Sequence, residues 1–216
     1  MTFKVPMQLI LASSSPSRRA LLERLSIPFV SISPDVDESI LPGEAASDLV
    51  MRLARAKAAK VVKLLENQNQ NQNDPVKDYV VKDHIVIAAD QVASLGDKIF
   101  TKPLNLEKAK ADLMLMSGQL VTFFTGVCVI HQQTGSRQEV LSPYQVCFRD
   151  LAPATIDAYL AKERPLGCAG SFKSEGLGIA LVKYFKGDDP TSLIGLPLTH
   201  LCSMLTSQGI LFVNGF

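Results

Sequence analysis

Leu9-Ile10-Leu11-Ala12-Ser13-Ser14-Ser15-Pro16-Ser17-Arg18-Arg19 sets the class of this fold. The apolar run 8–12 has the character of a short buried strand, and the polar turn 13–16 ends it. A helix is expected from about Ser17 to Leu25, with Leu21, Leu22 and Leu25 as its apolar side. Outward from there, residues 28–32 read as a second strand, followed by a polar, acidic loop holding Asp35, Asp37 and Glu38. A long helix is expected over 46–65. Residues 67–73 alternate Asn and Gln, a polar run that cannot supply a core and reads as a loop or as the tail of that helix.

Further along, the strongly apolar run 85–89 is a strand closing on Asp90-Gln91, and Gly96-Asp97 marks a hairpin turn before Lys98-Ile99. Asn105 caps a helix reaching about Met116. Residues 121–130 and 139–148 form a long antiparallel pair around Thr134-Gly135, and Pro153 opens another helix to about Lys162. The stretch 167–178 is rich in glycine and small residues. Residues 177–185 alternate like a strand, and 196–205 close the chain as a helix. Strands and helices are interspersed, so the class is α/β, and 1–216 reads as a single domain without repeats.

The chain has 216 residues, 47% of them hydrophobic, which is ample for one well-buried core. Its net charge of +1 lacks the basic excess of a nucleic-acid binder, so no nucleic-acid partner is expected. The basic residues are local, as in Arg18-Arg19 and 52–63, and a bound polyanion would be small. Cys128, Cys147, Cys168 and Cys202 are far apart with no C-x-x-C pair, as expected of buried free thiols. His84, His131 and His200 show no H-x-x-x-H spacing, which argues against a zinc hydrolase. The apolar stretch in residues 1–12 is too short to span a membrane, and the double arginine follows it instead of preceding it. The expectation is a cytoplasmic protein with no membrane partner.

Four features can carry chemistry. In 9–19, a helix start with free N–H groups and two guanidinium groups can cradle a phosphate, although a plain serine cap with solvated arginines has the same pattern. On the long helix, Lys57 falls inside the apolar stripe of Val50, Leu53, Ala54, Val61, Leu64 and Leu65, where it must snorkel out or meet an anion. Arg52 and Arg55 lie off the stripe centre and are expected in solvent. Asp90 follows a buried strand, and the carboxyl end of a sheet strand is where open α/β sheets place ligands. There it can hold a divalent metal or activate water, with Gln91, Lys98 and Lys102 close behind. Lastly, 168–176 combines small residues with Phe172, which can stack, and Glu175, which can accept hydrogen bonds. The run 187–190 reads as a turn without chemistry.

In this order the chain resembles the Maf family. The resemblance rests on LILASSSPSRRALL at 9–22, VDES at 36–39, RLARAKA at 52–58, AADQV at 88–92, TKP at 101–103, SFKSEGLG at 171–178 and IGLPL at 194–198. It implies a mixed twisted sheet with flanking helices, two lobes around a nucleotide-binding cleft, and a possible homodimer. The implied activity is hydrolysis of nucleoside triphosphates to monophosphate and pyrophosphate with a divalent cation, magnesium or manganese. By motif, Ser13, Ser17, Arg18, Arg19, Gln91, Phe172, Lys173 and Glu175 would bind the nucleotide. Asp90, Glu38, Lys57 and Lys102 would carry the catalysis, with Glu38 and Asp90 as the metal ligands. One branch of the family prefers uridine and thymidine nucleotides, and another prefers 7-methyl-GTP. Asp90-Gln91 together with Ser171 to Glu175 resembles the second. Ser17 departs from it, since members of that branch can carry a bulky aromatic there. The alternatives are the pyrimidine branch and a non-enzymatic nucleotide-responsive protein linked to cell division arrest.

Overall fold

A computed structural model describes residues 7–70 and 83–212. In chain order the elements are β1 (Met7–Leu11), α1 (Pro16–Glu23), β2 (Phe29–Ser31), α2 (Ala46–Gln70), β3 (Asp83–Leu95), β4 (Lys98–Phe100), α3 (Leu106–Met116), β5 (Leu120–His131), β6 (Arg137–Phe148), α4 (Pro153–Glu163), β7 (Val182–Lys186) and α5 (Leu198–Ser207). The strands form one mixed sheet in the order β2-β1-β3-β5-β6-β7, with β4 attached to β3. β1 runs parallel to β2 and β3, and the remaining pairs are antiparallel.

Strand alternation sorts the core. Leu9, Leu11, Ile85, Ile87 and Ala89 face α1 and α5, packing with Leu21, Leu22 and Leu201. Their neighbours Ile10, Ala12, Val86 and Ala88 face α2, against Ala54, Ala58 and Val61. A second core lies farther along the same sheet, where Phe123, Val146 and Phe148 pack with Leu113 and Met116 of α3 and with Ile156 and Tyr159 of α4. Each fully buried Leu or Phe contributes about 1.5–3 kcal/mol. Gly126 allows α2 to approach the sheet closely, because a Cβ there would lie 2.7 Å from the Val50 carbonyl oxygen.

β3 does not end before Asp90, as its apolar run led us to expect, but continues to Leu95 because β5 pairs with it from Ile85 to Ser94. The opposite edge changes partner. β1 stops at the Leu11–Ile87 pair and β4 begins at Ala93–Phe100. Residues 88–92 are therefore left with a strand on one side only. The carboxyl end that opens a cleft is that of β1, and Asp90 lies just beyond it on the neighbouring strand.

Other departures are local. α2 carries part of the Asn/Gln run as helix through Gln70, since propagating a formed helix is easy and Gln is a fair helix former; the remainder, 71–73, falls outside the described residues. Residues 177–181 form a 3-10 turn, and the strand begins only at Val182. The chain folds back there so tightly that a Cβ on Gly178 would meet the Lys173 carbonyl oxygen at 2.4 Å, which an extended strand could not do. α5 starts at Leu198 and not at Leu196, because Pro197 disfavours helical geometry in the residue before it.

Candidate active site

The cleft lies beyond the end of β1 and has a volume of about 240 Å³. One wall is the turn 13–18, and another is 167–169 with Phe172 and Glu175. Glu38 enters from the β2–α2 connection, Lys57 from α2, Gln91 from β3 and Lys102 from the segment after β4.

α1 begins as a well-capped helix. Ser15 accepts from the Arg18 amide and Pro16 occupies the first turn, where its missing N–H costs nothing. Ser13 Oγ accepts from the Ser15 amide at 3.1 Å, which fixes the turn. This start throws Arg18 and Arg19 in different directions. Arg18 lines the cleft, whereas exposed Arg19 sits over the Phe29 ring, 5.8 Å from its centroid, away from the lining residues.

Asp90 shares a face of β3 with Val86, Ala88 and Val92 and so points at α2. Lys57 meets it there. The lysine is 4% exposed and the aspartate 6%, so neither charge can be left unpaired. Lys57 Nζ lies 2.5 Å from Asp90 Oδ1 and 2.6 Å from Glu38 Oε1. Snorkelling is thus excluded, and the anions that Lys57 meets are the protein's own carboxylates. Burial works to raise the Glu38 pKa, but the hydrogen bond and charge of Lys57, with Lys102 and Arg18 beyond it, bring it below the usual carboxylate value. Burial lowers the Arg18 guanidinium from its ordinary value, against the pull of Asp90 and Glu38.

The loop carrying Glu38 is pinned by a residue expected in solvent. Arg52 Nε and Nη2 grip the Glu44 carboxylate at 2.6 and 2.8 Å, and Nη2 also donates to the Ser39 carbonyl at 2.8 Å. Asp37 holds the Ser39 amide and hydroxyl. The Arg52 hydrogen bond, with that of the Leu41 amide, lowers the Glu44 pKa to about 2. Arg55 is exposed, as expected, and pairs there with Glu139 at 2.8 Å.

Gln91, next in the strand, points to the other face. Its Nε2 donates to the Ser192 carbonyl at 2.7 Å, with Leu193 O and Thr125 Oγ1 at 3.1 and 3.0 Å. Two further expected site residues have partners inside the protein. Phe172 is 5% exposed and packs against Phe123 and Phe148, with centroids at 5.7 and 5.2 Å, so it offers almost no face for stacking a base. Lys173 is held by Glu163 at 2.7 Å, and that carboxylate also takes the Leu177 amide. Glu175 does reach the cleft, where Ser17 Oγ donates to its Oε1 at 3.2 Å.

The run 187–190, expected to be an inert turn, contains a heavily hydrogen-bonded carboxylate behind the cleft residues Leu193 and Ile194. Asp189 is 1% exposed and caps a 3-10 turn over Pro190–Ile194. An aspartate two residues before a threonine is an Asx-turn signal, and this could have marked it.

Glu38 and Asp90 converge on a single cation, Lys57. Among the described residues no cluster of three or more His, Cys, Asp or Glu side chains forms a metal cage. Two carboxylates suit magnesium or manganese, which take one or two protein carboxylates and leave other positions to phosphate oxygens and water. They do not suit the nitrogen and sulfur set of a structural zinc.

A family model described as Maf-like protein matches residues 8–208. The chain is 49% identical over 201 residues to a protein of Alkalilimnicola ehrlichii named 7-methyl-GTP pyrophosphatase, covering 93% of each chain. It is 45% identical over 204 residues to a protein of the same name from Nitrosococcus oceani, covering 94% of each. A third, from Alcanivorax borkumensis and named alike, is 44% identical over 210 residues, 97% of this chain and 98% of its own. With the family's motifs brought around one cleft by an α/β sheet, the chain belongs to the Maf family.

Proposed function

We propose that this protein hydrolyses 7-methyl-GTP to 7-methyl-GMP and pyrophosphate and so keeps a modified nucleotide out of nucleic acids. The observation that carries it is the pairing of a cationic wall with carboxylates at one cleft: Arg18 and Lys102 line it together with Glu38, which Lys57 ties to the buried Asp90. Water attacks the α-phosphorus, its proton passes to Asp90, and the bond to the bridging oxygen breaks. The electron pair leaves with pyrophosphate, whose charge Arg18 and Lys102 neutralise. Lys57 holds both carboxylates in register. Glu38 and Asp90 would hold a divalent cation, which supplies further charge neutralisation at the phosphates when bound.

Glu175 supports the choice of base. A carboxylate accepts from the N1–H and exocyclic amine of guanine and offsets the positive charge of the N7-methylated ring. With Phe172 buried in the second core, discrimination rests on this carboxylate more than on stacking. Four free cysteines suit a reducing, cytoplasmic setting, and a homodimer belongs to the same proposal and is tested by sedimentation.

The test is a panel of 7-methyl-GTP, GTP, UTP and dTTP with pyrophosphate and orthophosphate assayed separately. Pyrophosphate release fastest from 7-methyl-GTP is expected. A preference for UTP or dTTP would assign the pyrimidine specificity instead, and binding without release would mean a sensor.

A further inference from the structure

Asp189, with His200 Nδ1 4.0 Å from its Oδ2, is a buried carboxylate with no lysine or arginine partner among the described residues. It is stabilised by four donors: Thr191 N and Oγ1 at 2.8 and 2.6 Å, and Thr199 N and Oγ1 at 2.8 and 2.6 Å. Burial works to raise its pKa, and these hydrogen bonds bring it below the ordinary value. Thr191 Oγ1 in turn accepts from the Leu198 amide at 2.8 Å. Two orphan N–H groups of the first turn of α5 are thereby satisfied by the 189–195 segment, which locks the segment to the helix.

The same segment is locked to the sheet. Ser192 O receives both Gln91 Nε2 and Thr125 Oγ1, the latter at 2.8 Å. Held from two sides, it ends on Gly195, whose φ of +117° only glycine adopts without strain. The Gly195 carbonyl accepts from Arg18 Nε at 2.9 Å, across 177 positions of sequence. A Cβ on Gly195 would stand 3.3 Å from that nitrogen. With Nε engaged, the guanidinium plane is fixed, and its terminal nitrogens have no other hydrogen-bond partner among the described residues. That is the edge an arginine uses to bind a phosphate with two parallel bonds.

We propose that Asp189 and Gly195 are positioning residues that set the Arg18 guanidinium for a phosphate group of the substrate. Asp189 fixes the turn, the turn presents the Gly195 carbonyl, and the carbonyl orients Arg18. The inference rests on Arg18 being a phosphate ligand of the proposed reaction.

The test is a pair of double-mutant cycles, Gly195→Ala with Arg18→Lys and Asp189→Asn with Arg18→Lys. Lysine keeps the charge but has no Nε–H to give the carbonyl. Affinity for inorganic pyrophosphate is measured by calorimetry, and kcat and KM for 7-methyl-GTP alongside. In the parent background each substitution should weaken pyrophosphate binding by about ten- to a hundred-fold, the range for a charged hydrogen-bonding group. In the Arg18→Lys background the further loss should be under about twofold, since the group being positioned is gone. Equal losses in both backgrounds would show a purely structural role and overturn the proposal, as would an Arg18→Lys variant that binds pyrophosphate like the parent. Asp189→Asn keeps the shape of the side chain, so the cycle is still read if Gly195→Ala does not fold. Coupling in the binding cycle with no turnover of 7-methyl-GTP by the parent would sink the hydrolytic function and leave the positioning intact.

Discussion

Lys57→Met isolates what the central ion pair is worth. The Lys57 and Asp90 side chains are 6% and 9% exposed, whereas that of Glu38 is 48% exposed. Methionine keeps the apolar stem between Leu53 and Val61, so lost packing contributes less than about 1.5 kcal/mol. The larger cost is Asp90 left buried without its cation, about 3–5 kcal/mol for breaking a buried pair from one side. Glu38 adds at most about 1 kcal/mol, because water screens it. At about 2–4 °C per kcal/mol for a domain of this size, the buried-pair cost alone should lower the melting temperature by about 6–20 °C. Asp90→Asn alone should cost less, since Glu38 still faces the ammonium. The double variant Lys57→Met/Asp90→Asn removes both buried charges and should recover about 2 kcal/mol or more relative to the sum of the singles. Urea unfolding at pH 7 on the four proteins measures this coupling. If the two losses add within about 0.5 kcal/mol, Lys57 and Asp90 do not interact in solution and the account of the site collapses. The single variant should also raise KM or lower kcat while α2 stays folded, which far-ultraviolet circular dichroism checks.

Asp90→Asn should reduce turnover by about 10²-fold or more, as removal of a general base does, while calorimetry still detects nucleotide binding; near-normal rates would remove Asp90 from the chemistry. Glu175→Gln should shrink the kcat/KM ratio of 7-methyl-GTP over UTP by about ten- to over a hundred-fold, because an amide no longer offsets the cationic base. A fixed ratio with both activities falling together would refute base recognition by Glu175. Glu44 has a depressed pKa, so its grip on Arg52 is complete above the unfolded value near about 4.3 and is lost as pH falls through about 2. Carboxyl carbon chemical shifts followed between pH 6 and 1.5 should show a midpoint near 2 that Arg52→Met moves up toward the unfolded value. A Glu44 midpoint near 4.3 in the parent would mean the loop is not anchored.

Much of this molecule was legible because its signals are local. A strand that empties into serines and a proline, an asparagine three residues ahead of Lys108, and a hairpin around Thr134-Gly135 each announce themselves within a few residues. Lys57 stood out because a charge on an apolar stripe demands a partner. What could not be read was which partner, since Asp90 lies 33 positions away and meets it only after α2 is laid on the sheet. The continuation of β3 past Asp90 depends on β5, and no pattern within 85–95 encodes where β1 stops. Phe172 shows the same limit from the other side. Its neighbours are small and polar, yet its ring belongs to a core built by β5 and β6. Apart from the Asx-turn spacing at 189–191, Asp189 and Arg52 carry no such local signal, because single charged residues in turns and on helix flanks are usually solvated, and only the folded chain supplies their partners.

β3, β5 and β6 are each 12 or 13 residues long and pass unbroken from the core beneath α5 to the core beneath α3 and α4. The cleft is therefore a groove cut across a continuous beam. Jaw-like opening would need a few residues to absorb a large change in backbone angle, and every candidate in the floor is tied into ladder bonds on at least one side. Compliance falls instead on the margins, the connection 32–45 that carries Glu38 and the segment 164–178 that carries Glu175. Any displacement of those two margins leaves the span beneath them in place, with Asp90 and Gln91 at a constant spacing from each other.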